Sequence, residues 1–192
     1  MIALILGLTI FLCAHSTRIF ADGWRTRQIE RLGAATWKGL YSLASLAGLA
    51  LIVWGFGLAR AEPVTVWSPP AWTHHVTALL VLAAFVLLVA AYLPGTHIKA
   101  WVGHPMLAGV KVWAFAHLLA NGRLADIVLF GAFLAWAVVA FVSCRRRDRV
   151  AGVRYEARGA SRDALAVVIG AGAWALFARF GHAFLFGVNP FA

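Results

Sequence analysis

Long apolar runs separated by short polar links dominate the chain. Each run is close to the roughly 20 residues that an α-helix needs to cross about 30 Å of hydrocarbon. We therefore expect six membrane-spanning helices, over residues 1–20, 40–59, 76–93, 105–121, 124–144 and 164–188. The fourth run is short, and Asn121-Gly122 leads almost directly into the fifth. The pattern predicts an all-α fold: an integral membrane helical bundle of about six transmembrane helices, with residues 1–192 as one transmembrane domain.

Composition agrees with this class. The chain is 62% hydrophobic and 12% charged, with a mean hydropathy of +0.83, whereas a soluble domain carries roughly twice that share of charge. The lipid bilayer is thus the expected partner. The net charge of +10 lies in the links between the apolar runs, so it indicates membrane topology, and we expect no nucleic-acid binding.

The basic residues are distributed unevenly among the links. The second and fourth links contain Arg60 and Arg123 alone, and the first, third and fifth contain most of the rest. Because positive charge collects in cytoplasmic loops, the odd-numbered links are expected in the cytoplasm and both termini in the periplasm. The segment "CRRRDR", from Cys144 to Arg149, then predicts contact with anionic lipid rather than with RNA or DNA.

Among the histidines within or at the ends of the spans, His15, His104 and His117 are the candidates for a site, since ionisable groups are costly there and mark a functional site by default. His117 shares a helical face with Gly109 and Ala116, whose small size favours close helix packing, so it is expected to point into the bundle. His117 is either a haem or metal ligand, or a proton-handling group, or it makes a structural hydrogen bond between helices, to Asn121 or a backbone carbonyl.

The other two histidines leave similar alternatives. His15, near the cytoplasmic end of the first span, is either a ligand or part of a polar span end. His104, just before Pro105 at the mouth of the fourth span, is a span-end residue or a ligand. Lys111 shares the face of His104 and is expected to snorkel or pair.

The sequence contains no motif of a known catalytic centre. Phosphate-binding loops, GxSxG and HExxH are all missing from the sequence. Any chemistry would have to come from the histidines or from a bound cofactor. The sequence assigns no catalytic residue and does not decide whether the protein is an enzyme.

Several ordered blocks resemble NnrU family membrane proteins. They are "FLCAHSTRIF", "WKGLYSLASLAGLALIVWGF", "AWTHH", "GHPMLAGVKVWAFAHLLANG" and "RRRDR", and together they cover nearly the whole chain. The resemblance implies a bacterial inner-membrane protein associated with denitrification. Its partner would be the nitrite and nitric oxide reductase system, whose expression or activity it would support.

The family is also similar to the zeta-carotene isomerases, which are haem b membrane proteins. The shared blocks contain His15, His104 and His117, so this likeness implies haem b with these histidines as candidate ligands, with His15 and His117 as the candidates for the iron and His104 as the alternative second ligand. The isomerases carry a His-His pair where this chain has "GAFLAWAV", and the fifth run here has no histidine. The second ligand would therefore differ, or the iron would be five-coordinate.

Two alternative functions follow from these likenesses. One is a haem b-binding isomerase or redox protein acting on an isoprenoid or carotenoid. The other comes from Gly103-His104-Pro105-x-x-x-Gly109, which resembles the RHPxYxG element of membrane methyltransferases. The Arg and Tyr of that element are missing here, so the block predicts a shared fold element, and a methyltransferase-like protein is the least favoured hypothesis.

Overall fold

The computed structural model describes residues 1–190 and is all-α within that range. Its helices are α1 (Ile2–Phe20), α2 (Asp22–Leu32), α3 (Ala34–Ala61), α4 (Trp72–Tyr92), α5 (His97–Val102), α6 (Pro105–Ala120), α7 (Leu124–Val150), α8 (Ala160–Leu176) and α9 (His182–Phe186). A π-helical turn at Phe177–Gly181 joins α8 to α9. Among the described residues, extended pairing is limited to one bridge between Thr65 and Arg123. The all-α prediction is confirmed.

Within residues 1–190, five helical segments are long and apolar enough to cross a membrane: α1, α3, α4, α7 and the continuous stretch Ala160–Phe186. The sixth predicted span corresponds to α6, a shorter apolar helix of 16 residues. At 1.5 Å per residue α6 rises about 24 Å, which is less than the ~30 Å of a typical hydrocarbon core. The chain is a multi-pass membrane protein whose fourth predicted span is its shortest.

The first polar link is itself largely helical, which the apolar pattern did not predict. Asp22 in its first turn and Arg31 in its last turn complement the helix dipole of α2. The helix ends at Gly33, whose φ of 84° suits a residue without a side chain. The Trp24 ring of α2 meets the Trp37 ring of α3 edge to face at 5.6 Å. A charged helix therefore forms most of the link between α1 and α3.

The chain forms two compact units. Unit 1 comprises residues 1–67 and 122–136, and unit 2 comprises residues 68–121 and the chain from residue 137 onward. Unit 1 contains α1, α2, α3 and the first half of α7, and unit 2 contains α4, α5, α6, α8, α9 and the second half of α7. The single transmembrane domain stays a prediction.

Glycines allow α1 and α3 of unit 1 to approach backbone to backbone. A Cβ added to Gly7 would lie 2.6 Å from the Ile52 nitrogen, and one on Gly48 would lie 2.8 Å from the Phe11 nitrogen. A Cβ on Gly55 would collide with the backbone of Leu4. Small residues permit this close approach, which is the usual basis of helix association in lipid.

In unit 2, α4 is the helix against which both α6 and α8 pack. A Cβ on Gly170 of α8 would lie 2.7 Å from the Val86 Cα, and one on Gly109 of α6 would lie 3.1 Å from the Ala84 oxygen. Ala116 of α6 is fully buried, and its carbonyl accepts a 2.8 Å hydrogen bond from Thr77. The prediction that the Gly109 and Ala116 face of α6 points into the bundle is confirmed.

Candidate functional site

The beginning of α6 positions His104. Gly103 ends α5 with a φ of 78°, a left-handed conformation that favours glycine, and His104 is the N-cap of the helix that starts at Pro105. The guanidinium group of Arg145, from α7, lies against the Gly103 backbone. The tight turn at Gly103 therefore sets the position and direction of the His104 side chain.

His104 is paired with a carboxylate near the end of α7. Its Nε2–H donates to Asp148 Oδ2 at 2.8 Å, and the Tyr155 hydroxyl donates to the same oxygen at 3.1 Å. The side chains of His104 and Asp148 are 22% and 16% exposed, so the pair is partly shielded from solvent. The Tyr155 and Phe141 rings stand edge to face with the imidazole at 6.0 and 6.3 Å.

Lys111 completes this group, which we call the His104 cluster: His104, Lys111, Phe141, Asp148 and Tyr155. The Lys111 ammonium lies 3.6 Å from the centre of the Phe141 ring, a distance at which a cation is attracted to the face of the ring. Each helix contributes two residues seven positions apart, which is two turns and therefore one face. The prediction that Lys111 shares a face with His104 and finds a partner is confirmed.

The hydrogen bonds of the His104 cluster hold two titratable protons, on His104 Nε2 and on the Tyr155 hydroxyl, against Asp148 Oδ2. Asp148 fixes the orientation of the imidazole by accepting from Nε2, as carboxylates commonly do for functional histidines. Burial, the hydrogen bond to Asp148 and repulsion by its carboxylate raise the pKa of the Tyr155 phenol. The phenol therefore stays protonated and donating at neutral pH. An imidazole, a carboxylate and a phenol in contact are groups suited to acid–base chemistry.

His15 lies in unit 1 among aromatic rings. Its Nδ1–H donates to the Phe11 carbonyl at 2.7 Å, which leaves Nε2 as the unprotonated nitrogen of the neutral ring. Phe11 stacks on the imidazole at 4.1 Å, and the rings of Tyr41 and Trp136 lie 5.2 and 6.0 Å away. The buried Trp136 Nε1 has no hydrogen-bond partner among the described residues.

His117 makes a similar bond near the end of α6. Its Nδ1–H donates to the Trp113 carbonyl at 2.8 Å, and the two rings lie 5.3 Å apart. Asn121 donates to the backbone carbonyl of His117, also at 2.8 Å, so the expected contact between the two residues does not involve the imidazole. The hydrogen bond to Trp113 lies within α6, whereas the sequence predicted one between helices.

The three candidate ligands do not form one site within a single unit. His104 and His117 lie at opposite ends of α6, about 20 Å apart by helical rise. Since imidazole–metal bonds are near 2 Å, these two cannot bind the same iron. His15 belongs to unit 1, so its pairing with His117 or His104 stays a prediction. Among residues 1–190 there is no group of three or more His, Cys, Asp or Glu side chains that could hold a metal ion.

Sequence reasoning missed the carboxylate partners. Asp148 is the single acidic residue of "CRRRDR", and that isolation within a basic run was the available signal. A second missed carboxylate is Asp163, which accepts from His97 Nδ1 at 2.7 Å and from the His97 and Ile98 backbone nitrogens at 3.2 and 3.1 Å. Asp163 thus caps the first turn of α5.

Comparison with known proteins places the chain in a family. No curated protein and no solved structure gives a significant match. The family model described as NnrU protein matches residues 3–190, which includes both units and every candidate histidine. The chain therefore belongs to the NnrU family.

Proposed function

We propose that this protein supports the expression or activity of nitrite and nitric oxide reductases during denitrification, from the bacterial inner membrane. The observation that carries the proposal is the family match over residues 3–190, because the link to denitrification comes with the family. The His104 cluster is the part of the molecule to which we assign this role. It combines titratable side chains with partial shielding from solvent.

A deletion strain tests the proposal. In a denitrifying host whose own copy is deleted, nitric oxide reductase activity in membranes should fall, and the wild-type chain should restore it. Asp148→Ala should restore it poorly, because the carboxylate holds both His104 and Tyr155. Glu156→Ala is the matched control, since Glu156 is an exposed carboxylate close by. Normal reductase activity in the deletion strain would contradict the proposal.

The same strain separates the two routes of support. Immunoblots of the reductase subunits report their expression, and activity per subunit reports their function. A loss of subunits with normal specific activity indicates a role in expression or assembly. Full subunit levels with low specific activity indicate a role in activity, such as maturation of the enzyme.

We further propose that both termini face the periplasm. The proposal rests on the basic residues, which concentrate in the odd-numbered links while Arg60 and Arg123 alone occupy the even-numbered ones. Alkaline phosphatase fused to the C-terminus should be active, and green fluorescent protein fused there through the general secretory route should stay dark. The opposite result would invert the topology.

The second candidate function is haem b binding, and the surroundings of His15 support it. Metal-ligating histidines almost always donate their other ring N–H to a carbonyl or carboxylate, and His15 does so to Phe11 at 2.7 Å. His117 does so to Trp113 at 2.8 Å. The donor chemistry therefore fits haem, which would be held by His15 with His117 or His104 as the candidate second ligand. Haem would supply a redox-active iron for a reaction on an isoprenoid or carotenoid.

Absorption spectra decide this second candidate. Protein purified from haem-replete cells should show a Soret band that is lost in His15→Ala and retained in His75→Ala, the exposed control in the first turn of α4. His117→Ala and His104→Ala then show which of the two is the second ligand. A colourless protein that gains no Soret band on addition of haem would exclude haem binding.

A further inference from the structure

The second half of α7 exposes a narrow apolar stripe. Val138, Val139 and Val142 are 44%, 42% and 58% exposed. At 100° per residue they lie within an arc of about 100°. Ala137 and Ala140, on the opposite side of the helix, are 0% and 4% exposed. In a membrane protein an exposed apolar stripe opposite a buried one faces lipid.

This lipid-facing stripe continues directly into arginines. Arg146 and Arg149 fall within the same arc as the three valines, about one and two turns further along α7. Both side chains are exposed, and no hydrogen bond or ion pair of either is found in residues 1–190. Val150, the last residue of α7, is 85% exposed on the same side. Where α7 leaves the hydrocarbon, this face therefore presents two guanidinium groups and one apolar side chain to the headgroup layer.

Other arginines of the same basic region are engaged within unit 2. Arg147 donates to Ser143 Oγ at 2.7 Å and to Cys144 Sγ at 3.0 Å. Arg162 donates to the Pro94 carbonyl at 2.7 Å. Asp148, which neutralises part of the run, is turned toward His104. The period of α7 thus directs Arg146 and Arg149 outward, whereas the Arg147 and Arg162 side chains are already held by hydrogen bonds.

We propose that Arg146 and Arg149, with Arg154 of the following loop, bind the phosphate groups of anionic phospholipids in the leaflet where α7 ends. The exposed Val150 and Val153 sit beside them as apolar anchors. An arginine next to an anionic headgroup gains both charge attraction and paired N–H donors for phosphate oxygens. We assign the site to a lipid because the arginines continue a helix face whose preceding residues are directed toward lipid. An RNA or a soluble protein would not reach that part of the face.

Competitive lipid retention tests the proposal. Detergent-purified protein is incubated with equal amounts of phosphatidylglycerol and phosphatidylcholine of the same acyl chains, purified again, and its bound lipids are quantified by mass spectrometry. Each outward arginine should contribute roughly a fivefold preference for the anionic lipid. The phosphatidylglycerol to phosphatidylcholine ratio of R146Q/R149Q should therefore fall at least tenfold, and high salt should weaken the wild-type preference.

The matched control is R147Q/R162Q, which removes the same number of charges from two arginines whose side chains are hydrogen-bonded within unit 2. Its lipid ratio should change less than twofold. An equal fall in both double variants would show that net charge, not the outward face, selects the lipid, and would overturn the proposal. So would an unchanged ratio in R146Q/R149Q, or wild-type protein that retains RNA but shows no lipid preference.

A charge-retaining variant guards against a folding defect. R146K/R149K should keep most of the preference, because lysine supplies the charge although not the paired donors. Circular dichroism and thermal unfolding in detergent should be the same for wild type, R146Q/R149Q and R146K/R149K, since the side chains of Arg146 and Arg149 make no hydrogen bond or ion pair among the described residues. Loss of preference in the lysine variant with intact folding would overturn charge attraction as the cause.

Discussion

His104 Nε2 lies 2.8 Å from Asp148 Oδ2, which joins the start of α6 to the end of α7 across 44 positions of sequence. The same carboxylate oxygen accepts from Tyr155 at 3.1 Å. One acidic side chain in a basic run thus holds a histidine from one helix and a tyrosine from a loop. Asp148 therefore links α6, α7 and the following loop, a role that its position within a basic run does not indicate.

Removal of this carboxylate should destabilise the protein. Asp148→Ala leaves two partly shielded donors without their acceptor, which costs about 1–3 kcal/mol. Asp148→Asn keeps an oxygen acceptor and should lose less. Thermal unfolding in detergent measures both effects, and limited proteolysis of residues 151–159 reports release of the loop. Glu156→Ala, on the same loop, should leave the unfolding temperature within about 1 °C; an equal loss there would show that the Asp148 contacts are not the cause.

The phenol of Tyr155 should titrate above pH 10. Its pKa is raised in the folded protein by burial and by Asp148, so the folded state binds this proton more tightly than the unfolded state does. The resulting stability is fully present below pH 10 and is lost as the pH rises through the folded pKa. Ultraviolet absorbance at 295 nm follows tyrosinate formation, and the difference between wild type and Tyr155→Phe isolates this group. A Tyr155 component that titrates below pH 10 would contradict the prediction.

Gly55 should be intolerant of even one added carbon. A Cβ at this position collides with the backbone of Leu4, so α1 and α3 would have to separate. Gly55→Ala should therefore destabilise the protein by about 1–3 kcal/mol. Gly57→Ala is the matched control on the same helix, because nothing lies within 4 Å of an added Cβ there. It should be neutral or stabilise by up to about 1 kcal/mol, and similar losses in both variants would contradict close packing at Gly55.

The corresponding pair in unit 2 is Gly170 and Gly172 of α8. A Cβ on Gly170 would lie 2.7 Å from the Val86 Cα, and one on Gly172 would meet nothing within 4 Å. Gly170→Ala should lower the unfolding temperature, and Gly172→Ala should not. If α8 reaches its position by contacts other than the Val86 approach, the two variants will unfold alike.

Lys111 and Phe141 should be energetically coupled. The ammonium lies 3.6 Å from the ring centre, and a partly desolvated cation–π contact is worth about 0.5–2 kcal/mol. A double-mutant cycle of Lys111→Met and Phe141→Leu, measured by unfolding in detergent, should return a coupling energy in this range. Strict additivity of the two single changes would show that the contact adds nothing to stability.

The apolar pattern predicted the transmembrane helices well, since the length of an apolar run is dictated by bilayer thickness. The ends of the helices were less predictable. Helix α7 continues past Cys144 to Val150, because a charged segment remains helical after it leaves the hydrocarbon. Helix α2 was not predicted because it consists largely of charged and polar residues, which a search for apolar runs does not detect.

The candidate site was predictable only in part. His104 and Lys111 were placed on one face by helical period alone, which is a local property of α6. Their partners Asp148 and Phe141 belong to α7, and helix pairing is decided by tertiary packing that no periodicity contains. In the same way, the ring of Tyr41 reaches His15 from a different helix. The sequence indicates which residues are unusual, and the fold decides what each one contacts.

Because α6 is short, the thickness of the surrounding bilayer affects the environment at the ends of this helix. Its 16 residues fall about 6 Å short of a typical hydrocarbon core. Such hydrophobic mismatch is relieved when the lipids beside the helix thin, at a cost of a fraction of a kcal/mol per Å. Because His104 is the N-cap of this helix, acyl-chain length determines how deeply the histidine is immersed. A membrane with shorter chains would bring it to the headgroup level, and one with longer chains would draw water and headgroups inward around it.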